Sequence, residues 1–484
     1  ALFKVGVQYQ FFPPSNRSEL IIDLWLPQGA SIKATEAEVK RVEALLAQDE
    51  MKDKLVNVAS YIGNGAPRFY LPLDQQLFND NFGQLVVVTK DFDAREAVRA
   101  TLFKAFAAPD GSWSHLRTRV QRLENGPPVG YAVVFRVSGE ETETLRGIAH
   151  EVAGVMRTNA NLTNIHLDWN EKVKSVRVRI DQDRARALGV SSQEVAQALQ
   201  AQQQGIALTQ YRAGDQLIDI VWRADGSERG QLDRLADLPV PTQGGKWIPL
   251  AQVAKLEPVL EEGIIWRRDR RPAIQVRADL ANDQVTAPTV TLQIDPLLGE
   301  LRKQLPPGYR IEIGGAIEES ARNENALKAV MPLTLVAVIT LLMVQLQSMR
   351  RTFMALLTAP LGLIGVALAL LAFGKPFGFV ANLGVIALMG MILRNSVILL
   401  DQIDQDEKAG KSQWDAVVGA AVRRFRPIML TAAAAVLAMI PLSRQIFWGP
   451  MAVAIMGGLI IATVLTLLFL PALYAAWYRV REPA

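Results

Sequence analysis

ALMGMILRNSVILL, residues 387–400, decides how the C-terminal part of this 484-residue chain is read. Thirteen of its 14 residues are uncharged and most are apolar. It lies inside a longer run, 381–400, which has the roughly 20 residues a helix needs to cross ~30 Å of hydrocarbon. The exception is Arg394, followed by Asn395. Arginine stays charged at any relevant pH, and at the centre of a membrane helix it costs ~2.5–3.5 kcal/mol on insertion scales. Its head would have to travel about 12 Å along the helix to reach the level of Gln402, a long way even for a side chain that snorkels. Buried charges in membrane bundles usually face the bundle interior and mark function, so an anionic partner is expected. The apolar runs contain no Asp or Glu, and Asp401 stands two turns away at the helix end. The partner carboxylate is therefore expected from helices outside this sequence.

Four further apolar runs accompany the first, and the five together are 326–347, 354–373, 381–400, 427–446 and 451–475. Basic residues flank them unevenly. Arg350, Arg351, Lys408, Lys411, Arg423, Arg424, Arg426, Arg479 and Arg481 fall on one side, against Lys375 and Arg444 on the other. The basic side is the cytoplasmic one, which places residues 1–325 outside the cytoplasm and the tail, 479–484, inside. If Arg423, Arg424 and Arg426 belong to the following helix, the asymmetry is smaller but keeps its sign. ALFKVGVQYQFFPP has no basic flank leading into an apolar core, so it does not read as a signal peptide. A preceding span, or a longer polypeptide of which this is one half, is expected to carry the soluble part across.

The net charge of +4 does not suggest a nucleic-acid partner. The absence of cysteine excludes disulfides and thiolate metal sites. Along residues 1–325 a βαββαβ order repeats. Strands are predicted at 19–26, 55–62, 84–90 and 116–124, with helices at 33–48 and 93–108. A second unit has a strand at 131–139, a helix at 143–158 and a strand at 164–170. It resumes with a strand at 274–280, a helix at 290–304 and a strand at 308–315. Between its halves lies an insert of about 85 residues, with strands at 175–181 and 216–224 and a helix whose opening, Ser191-Ser192-Gln193-Glu194, fits a capping box.

No catalytic constellation is present. His115, His150 and His166 are scattered, with no HExxH, phosphate-binding glycine loop or nucleophile elbow. Asp181 and Asp183 read as a solvated pair at a strand end, and Gln202–Gln204 as an exposed helix end. The loop SYIGNGAPRFYLPLDQQLFNDNFG carries Tyr61, Phe69, Tyr70, Phe78 and Phe82. Two readings stay open for it: aromatics tucked onto a sheet, which isolated surface apolar residues favour, and a flexible apolar ligand surface. Arg424 and Thr431, seven residues apart, share a helix face. With Arg394 and Asn395 they can form one polar seam; a plain basic anchor is the competing reading of Arg424.

Five strings resemble the resistance-nodulation-division (RND) efflux pumps of the AcrB type, in their C-terminal half. They are DQDRARALGVSSQEVAQAL (181–199), MVQLQSMRRTFMALLTAPLGLIG (343–365), MGMILRNSVILLDQ (389–402), RRFRPIMLTAAAAVLAMIPL (423–442) and MGGLIIATVLTLLFLPALY (456–474). The resemblance covers nearly the whole chain. The fold it implies is α+β, with ferredoxin-like (βαββαβ) porter subdomains plus a docking subdomain, followed by an all-α bundle of five transmembrane helices. The first porter subdomain would be 1–127, the second 128–173 with 259–325, the docking insert 174–258, and the membrane part 326–478. It further implies an inner-membrane proton/drug antiporter rather than an enzyme, without a cofactor, exporting hydrophobic or amphiphilic compounds. The implied partners are two further copies in a homotrimer, the N-terminal half of the same pump, a periplasmic adaptor, an outer-membrane channel of TolC type and the lipid bilayer. The family's proton relay has a lysine where this sequence has Arg394. Asn395 keeps the neighbouring residue, and Arg424 and Thr431 fall on the basic and hydroxyl relay positions. The aromatic loop falls near the family's drug cleft, with Tyr61, Phe69, Tyr70 and Phe78 as candidate contacts. Alternatives are a metal-exporting pump, a lipid transporter or secretion auxiliary of the same family, and a non-transporting receptor or enzyme. Soft-metal ligands are few, since Met51 and Met156 are the only methionines before the first run.

Overall fold

In a computed structural model, residues 7–13, 15–108, 110–226 and 231–482 are described. Residues 1–6 of the expected first subdomain and residues 483 and 484 of the expected tail lie outside them. The chain divides into two compact units, Ala1–Asn170 with Ile264–Ala484, and Glu171–Gly263.

The first sheet is built from β1 (Glu19–Trp25), β2 (Leu55–Ile62), β3 (Phe82–Thr89) and β4 (Arg117–Arg122). Helix α1 (Ile32–Leu46) follows β1 and α2 (Phe92–Phe106) follows β3. The strand order is β2-β3-β1-β4, antiparallel throughout. Period-two alternation in ELIIDLW puts Leu20, Ile22 and Leu24 on the face covered by Val39, Val42 and Leu46 of α1 and Val98 and Leu102 of α2. Ile21, Asp23 and Trp25 therefore point to the opposite face. Both helices start on side-chain caps: Ser31 accepts from the Ala34 amide and Asp91 from the Ala94 amide.

A second sheet opens with β5 (Val133–Ser138), α3 (Thr142–Arg157) and β6 (Leu162–Leu167). Next in sequence is the separate unit. It contains β7 (Val173–Ile180), α4 (Gln182–Ala187), α5 (Ser192–Gln203), β8 (Ile206–Ala213), β9 (Gln216–Trp222), β10 (Pro239–Pro241), β11 (Trp247–Pro249) and β12 (Ala254–Glu261). In it β7 pairs with β12, β8 with β9 and β10 with β11. The Ser191–Glu194 capping box is formed in both directions. Asp181 caps α4 by accepting from the Arg184 amide, which accounts for one of the two adjacent aspartates as a structural residue. The second sheet resumes with β13 (Arg267–Arg268), β14 (Arg271–Leu280), α6 (Ala287–Ile294) and β15 (Arg310–Ile313). β14 lies between β5 and β6, and β15 pairs with the other edge of β5. The helix expected over 290–304 is broken into α6, a 3₁₀ turn at Asp295–Leu298 and a short helix at Gly299–Lys303. Pro296 is the cause, because it cannot donate the backbone bond an α-helix needs there.

Among the described residues, five helices or helix pairs are long and apolar enough to cross a membrane. They are α7 (Gly315–Leu346), α8 (Met349–Thr358) with α9 (Leu361–Ala372), α10 (Phe379–Lys408), α11 (Gln413–Ser443) and α12 (Gly449–Tyr478). All overlap the five runs but extend past them, because helix geometry continues through polar residues until a glycine, a cap or a turn stops it. One consequence concerns Arg423, Arg424 and Arg426. They lie inside α11 rather than ahead of it. Helices α9 and α12 meet backbone to backbone: a Cβ on Gly365 would run into the Gly457 carbonyl, and one on Gly457 into Ala369.

Candidate functional site

Helix α10 buries Leu388, Ile392, Asn395, Ser396 and Leu399. Ser396 anchors that face, its Oγ lying 2.7 Å from Thr358 Oγ1 and donating to the Ile392 carbonyl at 3.1 Å. Arg394 sits about 100° round the helix from Asn395 and is exposed. Among the described residues it has no ion pair or hydrogen bond. Arg424 in α11 is half-buried, and its Nε is buried without a hydrogen-bond partner among the described residues. Thr431 is exposed and donates to the Ile428 carbonyl at 3.0 Å. No hydrogen bond among the described residues joins Arg394, Asn395, Arg424 and Thr431 to one another. Asp401 is occupied by Gln405, whose Nε2 donates to it at 2.8 Å.

Charges farther along α10 are fully engaged. Asp404 holds Arg351 of α8 and Lys408. Buried Asp406 takes Arg423 of α11 and Lys411. Glu407 accepts from the Tyr474 hydroxyl of α12 at 3.0 Å. This belt ties four helices together at the C-terminal end of α10. Arg394 stands apart from it, a cation without an anion among the described residues.

A second polar constellation joins the two sheets of the first unit. Asp23, 3% exposed, accepts from Gln84 Nε2 at 2.7 Å and Gln121 Nε2 at 3.1 Å. Gln84 is itself oriented, because its Oε1 accepts from the Ala66 amide at 2.7 Å. Burial pushes the Asp23 carboxyl up to about 6, against the opposing pull of Arg119. Arg119 of β4 reaches Asp279 of β14 with two nitrogens, at 2.8 and 3.1 Å, and its guanidinium lies 3.9 Å from the Tyr131 ring centre. His166 packs edge-on against Tyr131 at 4.8 Å. Burial and the neighbouring Arg117 hold His166 well below the ordinary histidine range, so it is neutral at pH 7. Asp168 is likewise raised by burial to about 6, with Arg277 3.4 Å away. The sequence carries a signal for this seam: a lone Asp among apolar residues in ELIIDLW, and Arg117, Arg119 and Gln121 alternating in RTRVQR. Both patterns point away from the helix-covered face. What they lack is any hint that Asp279, 160 residues on, completes the pair.

The aromatic loop divides. Tyr70 is tied down: its hydroxyl accepts from the Glu124 amide at 3.2 Å and its ring joins Ile21, Leu73 and Leu123. Phe82 is fully buried, with Trp25 4.4 Å away. Tyr61 is half-buried in β2, opposite Gln84 of β3. Phe69 and Phe78 are exposed, as are Leu71 and Leu77 between them.

The family model for AcrB/AcrD/AcrF proteins matches residues 2–477. The chain belongs to the AcrB/AcrD/AcrF family. This is the RND transporter family, whose members are secondary transporters rather than enzymes. Among relatives of this family, the cobalt-zinc-cadmium resistance protein CzcA of Cupriavidus metallidurans is 28% identical over 364 residues, 73% of this chain and 34% of the relative. The nickel and cobalt resistance protein CnrA of the same organism is 29% identical, over 70% of the chain and 32% of the relative. The swarming motility protein SwrC of Bacillus subtilis is 24% identical over 100% of the chain and 45% of its own length. A crystal structure of a heavy metal efflux pump has the same fold, with a TM-score of 0.78 at 22% identity, over 99% of this chain and 49% of that one. The chain thus spans a third to a half of the length of these relatives.

Proposed function

We propose that the chain forms part of a proton-driven RND exporter of divalent metal cations, with α10 and α11 in the coupling machinery. The metal-resistance relatives, named for cobalt, zinc, cadmium and nickel, carry the substrate class. They displace the drug-export expectation from first place. The scarcity of methionine and cysteine counts against soft ions only. Cobalt, nickel and zinc accept imidazole and carboxylate ligands. Among the described residues no three His, Cys, Asp or Glu side chains form a metal-holding group. The exposed Phe69, Leu71, Leu77 and Phe78 keep a second reading open, export of hydrophobic or amphiphilic compounds.

In this reading Arg394 is a fixed counter-charge. It cannot carry the transported proton. Carboxylates in the part of the exporter outside this chain would pair with it when ionised and release it when protonated. Asn395, Arg424 and Thr431 complete the relay. Residues 1–325 lie in the periplasm as two ferredoxin-like porter subdomains and a docking insert. The assembly is an inner-membrane homotrimer working with an adaptor and an outer-membrane channel. The test is growth of a metal-sensitive strain carrying the full-length exporter. Raised tolerance to cobalt, nickel or zinc without faster dye efflux is the expected result. Dye efflux with unchanged metal tolerance would move the substrate to the second reading. Arg394→Ala should abolish export from a normally assembled protein, and Arg394→Lys should retain it. Full export by the alanine variant would remove Arg394 from the coupling role.

A further inference from the structure

Residues 8–12 are stitched by their backbone to the start of α10. The Gln10 amide donates to the Phe377 carbonyl at 2.9 Å, and the Phe377 amide donates to the Gln8 carbonyl at 2.8 Å. Tyr9 and Phe377 form a parallel bridge. The Phe379 amide, first in α10, donates to the Phe11 carbonyl at 3.3 Å. Gly378 is required between them, since a Cβ there would run into the Gln10 carbonyl. Phe12 adds ring contacts to Phe379 at 5.3 Å and to Phe447, in the turn before α12, at 6.2 Å. The same stretch leads toward β1. Asn125, after β4, donates to the Pro13 carbonyl at 3.1 Å, and Arg95 of α2 donates to the Ser15 carbonyl at 2.7 Å.

Tyr9 carries this stitch across to α7. Its hydroxyl donates to Glu324 Oε1 at 2.8 Å. A phenol has one proton to give, so the Ser320 hydroxyl, 5% exposed, is the donor in its contact with the Tyr9 oxygen. Ser320 and Glu324 are four residues apart, on one face of α7. Burial first, with Glu324 adding to it and Ser320 opposing it, raises the Tyr9 hydroxyl to about 12. It therefore keeps the proton it donates, and the bond to the carboxylate is of the strong, charge-assisted kind.

The helix on the other side of the stitch is a rod. Unlike α7, α11 and α12, α10 has no interior proline. Arg394 lies 16 residues past Gly378, about 24 Å along an unbroken helix. A shift of Arg394 along that axis therefore arrives at Phe377–Phe379, where segment 8–12 is fastened.

On the coupling role proposed above for Arg394, we infer that Tyr9 is a positioning residue. Its hydroxyl ties segment 8–12 to α7, so that displacement of α10 reaches the first sheet through β1 and the second through α7 together. Without the tie, α10 moves the lead into β1 while α7 stays behind.

The experiment reads zinc-stimulated proton flux by full-length exporter in proteoliposomes, with a trapped pH dye. Tyr9→Phe keeps the ring and drops the tie. It should lower the maximal flux about tenfold, the scale of one charge-assisted hydrogen bond, with the half-saturating zinc concentration and the melting midpoint unchanged. Tyr9→Lys drops the ring and keeps a donor for Glu324, and should retain most of the flux. A residue that only packs would give the reverse order. Glu324→Leu breaks the tie from the other side and should match Tyr9→Phe, which keeps the test open if the phenylalanine variant fails to fold. Thr334→Ala, which removes a hydroxyl bonded only within α7, should change nothing. Full flux from Tyr9→Phe, or flux from Tyr9→Lys no higher than from Tyr9→Phe, would overturn the tie. Wild-type proteoliposomes in which neither zinc nor rhodamine 6G moves protons would instead overturn the exporter reading beneath it.

Discussion

Asp23 illustrates how one side chain in an apolar strand sets a pH response. Its carboxyl is raised by burial to about 6 in the folded protein, against the ordinary 3.8. The folded state therefore binds the extra proton between those values. The stability Asp23 contributes is fully present below about pH 4 and is lost as pH rises through about 6. Asp23→Asn should stabilise the protein by about 3 kcal/mol above pH 6 and leave it unchanged below pH 4. The amide oxygen can still accept from Gln84, and Gln121 can turn its own oxygen toward the new NH₂. Thermal midpoints at pH 4, 5, 6 and 7 for both proteins check this. Asp168 is raised in the same direction, so the mutant's pH slope should shrink rather than vanish. No change in slope would mean that water reaches Asp23 in solution. At the same scale, Arg394 is the opposite case, a charge that pH cannot remove and only a counter-ion can balance.

Element by element, the helical part is held by close backbone approach and by its ionic belt. Gly365 of α9 and Gly457 of α12 leave no room for a side chain. Gly457→Val should force the two helices apart and cost about 2 kcal/mol or more, as overpacking does. A lowered melting midpoint of the detergent-solubilised protein is the expected outcome. Gly390, with open space around its Cβ position, is the contrasting control, and its change to Ala should be neutral or slightly stabilising for helix propensity. In the belt, Asp406 is 6% exposed and receives both Arg423 and Lys411. Asp406→Ala removes the acceptor that two exposed cations, Arg423 and Lys411, share. It should destabilise the α10–α11 pairing by about 1 kcal/mol, read as earlier proteolysis of the loop at 409–412. An unchanged cleavage rate would assign the belt to surface decoration.

For the whole molecule, α7 is the direct connection between the second sheet and the apolar helices. It begins at Gly315, two residues after β15, and runs without interruption to Leu346. Gly315 takes φ +64° with Ala132 and Tyr131 carbonyls about 3 Å from any added Cβ, a position that only glycine fills without strain. Glu318, one turn in, is clamped by Arg136 of β5 at 2.6 Å and Arg268 of β13 at 2.7 Å. Displacement of α7 would therefore be transmitted to β5 and β15 rather than absorbed in a linker. Glu318→Gln should uncouple the two. In everted vesicles it should lower the export rate severalfold while binding of substrate to the detergent-solubilised protein is retained. Loss of both together would point to misfolding instead.

Hydropathy and period alone determined the five apolar helices, the strands of both sheets apart from the two-residue β13, the Ser191–Glu194 cap and the cost of Arg394. These are local properties, set by residues a few positions apart on one backbone. The same local rules misjudged the helix over 290–304, where Pro296 intervenes. Only the tertiary structure decided that Tyr70 is fastened while Phe69 and Phe78 stay exposed, since their loop has no period to read. It also decided that Arg119 meets Asp279 and that Asp23 is enclosed by two glutamines. Each of these pairings joins residues tens to hundreds of positions apart. Electrostatics and packing act through space, so their partners become legible only once the fold has brought them together.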